Sequence, residues 1–242
     1  MKLPSALLHK AITKLHRWSA LLVGGQITLW ILSGIIMTWF HIDVVRGDKH
    51  AAIAGPVELA AHNLIAPGGI IAQSDGALTL ELKNFDGSPV YITHGNGADH
   101  MYNALTGEKL SPLDKNTITA IANRDYIGAS KLKHARLLTK TPKEYRGPLP
   151  VWQVEFSNKL KTRLYISPVS GEVVSRRNKI WRLYDFMWML HIMDYDEREN
   201  HNNLLIKFFS MTSLFFVFSG IFLIWRSFNT GKYKSDLKNI RS

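Results

Sequence analysis

The chain has 242 residues, a formal net charge of +11 and no cysteine. That length allows one or two domains, and the missing thiols exclude cysteine-ligated iron–sulfur clusters, haem attached through Cys-x-x-Cys-His, and dithiol redox chemistry. The mean hydropathy of −0.06 averages two very apolar ends with a polar middle.

The first predicted element is a membrane span. Leu15-His16-Arg17-Trp18 leads into an uncharged apolar stretch from Ser19 to Phe40, long enough as a helix to cross a hydrocarbon core of about 30 Å. A cleaved signal peptide is not expected, because the apolar run is too long and Trp39-Phe40-His41-Ile42 offers no small-residue cleavage site. The expected layout is an N-terminal segment over 1–17, a span over 18–40, an inserted domain over 41–178, an interfacial helix and acidic turn over 179–203, a second span over 204–225 and a basic tail over 226–242. Lys207, near the start of the second span, can snorkel to water.

The flanks are basic. Lys2, Lys10, Lys14 and Arg17 precede the first span, Arg226, Lys232, Lys234, Lys238 and Arg241 follow the second, and Asp236 is the only acid among them. This bias predicts cytoplasmic termini and an extracytoplasmic insert. Part of the net charge is therefore topological, and no nucleic-acid motif accompanies it, so no nucleic-acid partner is expected.

The insert reads as mixed α and β. A short helix is expected over Pro56 to Asn63, with proline in its first turn. Leu78, Leu80 and Leu82 alternate as in a half-buried strand, Asp86-Gly87 marks a hairpin, and Val90 to Thr93 continues as a strand. Ile118, Ile121, Ala122 and Tyr126 recur at helical spacing. In a further strand Trp152, Val154 and Phe156 face one way and Gln153 and Glu155 the other; Leu164 and Ile166 repeat the pattern. Asn103-Ala-Leu-Thr-Gly-Glu108 matches Ser167-Pro-Val-Ser-Gly-Glu172 at an offset of 64 residues, and Pro89-Val90-Tyr91 echoes Pro150-Val151-Trp152, which predicts a duplicated supersecondary unit. The spans carry an echo of their own, Ser33-Gly34-Ile35 and Ser219-Gly220-Ile221, whose small residues permit close approach of a helix or a flat ligand. Before the second span, Trp181, Tyr184, Trp188 and His191 share one helix face, and Arg176, Arg177, Lys179 and Arg182 lie beside them, as suits a membrane interface.

Taken together, Leu-His-Arg-Trp at the first span, the Ser-Gly-Ile echo, Leu164-Tyr165 leading to Ser170-Gly171-Glu172, and Trp181-Arg-Leu-Tyr-Asp-Phe-Met-Trp-Met-Leu-His191 resemble the bacterial PepSY-associated transmembrane family. The resemblance covers most of the chain. It implies an α+β membrane protein, with two transmembrane helices flanking an extracytoplasmic domain of two PepSY-like repeats. Larger members have four or more spans and include inner-membrane ferric-siderophore reductases that bind b-type haem. The resemblance thus implies iron-related electron transfer; a haem shared between two pairs of spans would here need a second subunit.

The histidines are the candidate haem ligands. His16 and His41 are 25 positions apart, which on one continuous helix returns to nearly the same face, and Gly34 shares that face to make room for a macrocycle. At roughly 37 Å along the axis they cannot serve one haem. His191 is the second strong candidate, its partner being His41, His201 or the His191 of another copy. Haem held by two histidines usually draws them from facing helices, so a homodimer is expected, His16 pairing with its mate inside and His191 with its mate outside. A second metal set is His191, Asp194, Asp196 and His201, with a solvated turn as its structural alternative; His94 and His100 flank a glycine-rich loop and are weaker candidates.

No Ser-His-acid triad, P-loop or Rossmann glycine motif is present, so electrons would come from quinol or another protein. The leading expectation is a haem b protein of the bacterial inner membrane that reduces ferric iron or ferric siderophore outside it, in support of a ferrous iron transporter. The competing readings are a non-redox membrane-tethered domain regulating a transporter or protease, and a divalent-metal accessory protein.

Overall fold

The computed structural model describes residues 5–52, 63–74, 76–96 and 98–229. The helix expected over 56–63 lies almost wholly outside these residues, as does the basic tail beyond Asn229. In chain order the elements are α1 (Ser5–Trp39), α2 (Ile42–Arg46), α3 (Pro67–Gln73), β1 (Ala77–Phe85), β2 (Ser88–Gly95), β3 (His100–Asn103), α4 (Lys115–Asp125), β4 (Leu132–Leu138), β5 (Val151–Phe156), β6 (Arg163–Ile166), β7 (Val173–Arg177), α5 (Lys179–Ile192) and α6 (Leu204–Asn229). They form two units, Met1–Phe40 with Leu183–Ser242, and His41–Arg182.

The first unit is built on α1 and α6, which pack along one another. Lys10–Trp39 and Leu204–Asn229 are long and apolar enough to cross a bilayer, and only 17% and 6% of their most apolar windows are buried. The core helix of a water-soluble domain would be covered by its neighbours; here apolar side chains such as Leu21, Trp39, Phe218 and Ile221 face outward, as the hydrocarbon of a membrane requires. The buried positions of α1 are Ser19, Val23, Gln26 and Ser33, spaced by threes and fours so that they fall on one stripe. Three of these four positions carry polar groups where a usual seam would be apolar.

The segment between α5 and α6 is fastened by side chains. Trp30 Nε1 donates to the His191 carbonyl at 2.7 Å, and Trp188 Nε1 to that of Arg198 at 3.1 Å. Arg198 also pairs with Asp185. Asn203 donates to the Ile192 carbonyl at 2.9 Å while its Oδ1 accepts from Ile206 N at 2.9 Å, capping α6.

The second unit contains the duplication. The order α3-β1-β2-β3 recurs as α4-β4-β5-β6, with β7 added, and the strands form two antiparallel sheets, β1-β2-β3 and β4-β5-β6-β7. Asp86 and Gly87, both at positive φ (54° and 84°), make the tight hairpin between β1 and β2. The repeated turns agree atom for atom. Asn103 Oδ1 accepts from Leu105 N and Thr106 N, and Ser167 Oγ accepts from Val169 N and Ser170 N. Gly107 N and Gly171 N close back on the carbonyls of residues 103 and 167, at 2.9 and 3.0 Å. Both glycines sit at φ near +70°, namely 74° and 70°, which only glycine adopts cheaply.

The main core lies between the sheets and α4. Val90, Ile92 and Met101 of the first sheet meet Ile118, Ile121 and Ala122 of α4 and Val154, Phe156, Leu164 and Ile166 of the second. Asp114 caps α4 by accepting from Thr117 N at 2.9 Å. On the far face of the first sheet, Ile70 packs with Tyr91, Tyr102 and Ala104. The opposite face of β5 is also covered, although Gln153 and Glu155 alternate out of the apolar core. Gln153 is 1% exposed and donates to Tyr165 Oη at 2.7 Å, while Arg136 donates to its Oε1. Glu144 accepts from Tyr165, Arg163 and Arg182 at 2.8, 2.8 and 2.7 Å. Burial pushes the Glu144 carboxyl up, but these donors outweigh it and hold the group down at about 2. Every member of this buried polar network is bonded to another, although Arg182 Nη2 is buried without a partner among the described residues.

Candidate functional site

Two histidines of the first unit are held in the same way. His16, on α1, meets Ser219, on α6, with Nδ1 to Oγ at 2.8 Å. The Ser219 hydroxyl donates to the Phe216 carbonyl at 2.8 Å. A serine hydroxyl has one proton; given to the Phe216 carbonyl, it leaves the oxygen to accept from His16, whose proton then sits on Nδ1. The lone pair is left on Nε2. At the other end of the span, His191 Nδ1 lies 3.0 Å from Ser33 Oγ, and the Ser33 hydroxyl donates to the Leu29 and Trp30 carbonyls at 2.7 and 3.0 Å. The same argument assigns the same tautomer. Neither Nε2 has a hydrogen-bond partner among the described residues.

Each serine is followed by a glycine that lies beside the ring. A Cβ on Gly220 would stand 3.3 Å from His16 Cε1, and one on Gly34 would stand 3.8 Å from His191 Cε1. The first is tighter than ordinary packing and the second is an ordinary contact. The His16 ring is stacked on Phe216 at 4.5 Å with an interplanar angle of 11°. Thus the Ser-Gly of each span serves the histidine of the other half of the chain: Ser33-Gly34 receives His191, and Ser219-Gly220 receives His16.

This corrects two expectations. Gly34 does not accompany His16; it lies beside His191, and Gly220 takes the place expected of it. Nor do His16 and His41 share a helix face, because α1 ends at Trp39. His41 has extended backbone and caps α2, accepting from Asp43 N at 3.4 Å, and it pairs with the Asp43 carboxylate at 3.2 Å with its side chain 73% exposed.

The metal set is not assembled either. Among the described residues no three of His, Asp and Glu come together as a group that could hold a metal ion, so His191, Asp194, Asp196 and His201 do not form one. Asp194 is occupied by the loop itself, accepting from Glu199 N and Asn200 N at 2.9 Å each and from Asp196 N at 3.3 Å. These backbone donors hold its carboxyl below the ordinary carboxylate value. His201 packs edge-on against Trp188 at 5.3 Å. His94 pairs with Asp99 at 2.9 Å and His100 with Lys109 at 3.3 Å; neither joins a metal group.

The donor set suits a haem iron. Imidazole binds it through a neutral nitrogen, and the opposite ring nitrogen of such a ligand is normally fixed by a hydrogen bond. His16 and His191 both meet that requirement, and Gly220 keeps the His16 ring clear of a Cβ. Sequence reasoning missed Ser33 and Ser219 as partners of the histidines; the signal was the Ser-Gly-Ile echo, whose role becomes visible only when the spans are set side by side.

No curated protein and no solved structure matched the chain. The family model described as the PepSY-associated TM region matches residues 13–241, nearly the whole length, and it takes in both apolar helices and the mixed α/β region between them. The chain is a membrane protein and belongs to the PepSY-associated transmembrane family.

Proposed function

We propose that this protein is a haem b electron carrier of the bacterial inner membrane that reduces ferric iron, free or bound to a siderophore, on the outer side, in support of ferrous iron uptake. The observation that carries the reading is the pair of imidazoles whose Nδ1–H groups are held by serines, leaving the Nε2 lone pairs uncommitted. When bound, haem b supplies one-electron chemistry, so each electron from a quinol or protein donor converts one ferric ion to ferrous. His16 and His191 hold the group, Ser219 and Ser33 fix the ligand tautomers, and the apolar helices keep water away from the sites.

Both termini are assigned to the cytoplasm and the inserted domain to the periplasm, from the basic flanks. His16 and Ser33 are 17 residues apart on α1, about 25 Å along the axis, so the two histidines serve separate haems. A homodimer supplies the second ligand of each by symmetry. A cleft of about 500 Å3 within the inserted domain, lined by Asp99, His100, Tyr145 and Pro148 among others, is the place assigned to the iron substrate or a partner protein.

The test is spectroscopic. Purified protein from haem-replete cells should show a Soret band and, after dithionite, split α and β bands, both reduced by His16→Ala or His191→Ala. Colourless, folded protein would refute the redox reading and favour a tethered regulatory domain. Sedimentation of a monomer with full haem content would refute the dimer.

A further inference from the structure

Beside His16 the surface of α1 forms an open cleft of about 930 Å3, bounded by Lys10, Thr13, Lys14, Arg17 and Ala20 among its lining residues. At 100° per residue, Lys10, Lys14 and Arg17 make one ridge, and the smaller Thr13 and Ala20 lie between that ridge and His16. The ridge is exposed and the floor half-buried. None of the three cations is paired with a carboxylate among the described residues. The cleft thus offers an imidazole on one side, a low floor across the middle and three uncommitted positive charges on the other.

We propose that Lys10, Lys14 and Arg17 form a cationic collar that holds the two carboxylates of a porphyrin whose iron is bound by His16. This rests on the haem reading and deepens it: His16 provides the bond to the metal, and the ridge recognises the acidic edge of the ligand. Charge-assisted bonds from Lys or Arg to carboxylate are among the stronger hydrogen bonds, and Arg can grip a carboxylate bidentately. They gain further where the bilayer edge lowers the dielectric. A phospholipid headgroup offers the ridge the same anionic chemistry.

The experiment compares hemin with hemin dimethyl ester, which keeps the iron and ring but has lost both carboxylate charges. Full-length His191→Ala protein, so that only the His16 site is read, is stripped of haem, placed in phosphatidylcholine nanodiscs and titrated with each porphyrin by Soret absorbance. The expected result is at least tenfold tighter binding of hemin than of its ester. Adding K10Q, K14Q and R17Q should abolish that preference by weakening hemin alone. Equal affinity for the two porphyrins overturns the collar while leaving ligation by His16 intact, and it does so without touching the cations. Equal weakening of both porphyrins in the triple variant also overturns it. Loss of the preference in nanodiscs containing phosphatidylglycerol assigns the ridge to lipid headgroups and overturns the collar as well. If neither porphyrin binds, ligation by His16 fails together with the collar.

Discussion

Replacing Ser219 by alanine removes the one acceptor for the Nδ1–H of His16 and changes little else. The bond is 2.8 Å long and Ser219 is 6% exposed, so water cannot readily take the place of the lost oxygen. Leaving a buried donor unsatisfied costs about 1–3 kcal/mol, which corresponds to about a 5- to 150-fold change in an equilibrium constant. Loss of a group that orients a metal ligand typically costs about 10–100-fold in affinity, and the two estimates agree. On the proposed ligation, haem affinity at the His16 site should therefore fall by about one to two orders of magnitude. The His191 site, about 25 Å away along α1, shares no partner with it and should be unchanged. Titrating stripped protein with haem and following the Soret band should show one weakened phase beside one of normal affinity. Ser33→Ala should show the mirror image. Two unchanged phases in a correctly folded variant would refute the claim that serine fixes the ligand, as would equal weakening of both.

Three more outcomes are expected. Gly220→Ala should broaden or shift the Soret band of the His16 site while Gly34→Ala leaves that of the His191 site near normal, because the added carbon meets the ring at 3.3 Å in one case and 3.8 Å in the other. Glu144→Gln should lower the denaturant midpoint of the full protein at neutral pH. The wild-type carboxyl lies at about 2 instead of the ordinary 4.5, so its contribution is present above pH 4.5 and is lost as pH falls toward 2. The variant should not show that loss, and the difference at neutral pH should be about 1–2 kcal/mol after allowance for solvent screening. Asn103→Ala and Ser167→Ala should each cost about 1 kcal/mol and add in the double variant; chemical denaturation would show unequal costs if the two turns were not equivalent.

The parts of the fold governed by short-range pattern were legible in the sequence. The two apolar runs, the Asp86-Gly87 hairpin, the α4 periodicity and the repeated Gly-Glu turns all depend on residues within a few positions of one another. The Ser-Gly exchange was not legible, since Ser33 and His191 are brought together only by the packing of distant helices. His41 was misplaced because its local ability to cap α2 outweighed continuation of α1. Asp194 looked like a metal ligand because charge is visible in a sequence, whereas the backbone N–H groups that occupy a carboxylate are not. The covered outer face of β5 was hidden for a similar reason: Gln153 reads as polar, and nothing nearby announces Arg136 and Tyr165.

The exchange of partners between the two halves of the chain also bears on its biosynthesis. When α1 has entered the membrane and neither α5 nor α6 has yet been made, His16 lacks its serine and Ser33 lacks its imidazole. His191 can meet Ser33 once α5 has been made, whereas His16 must wait for Ser219 on α6, the last helix, before its ring is held. The contact that orients the His16 ring thus acts as a check on completion: a product cut short before α6 carries the histidine of the first span without the serine that holds it.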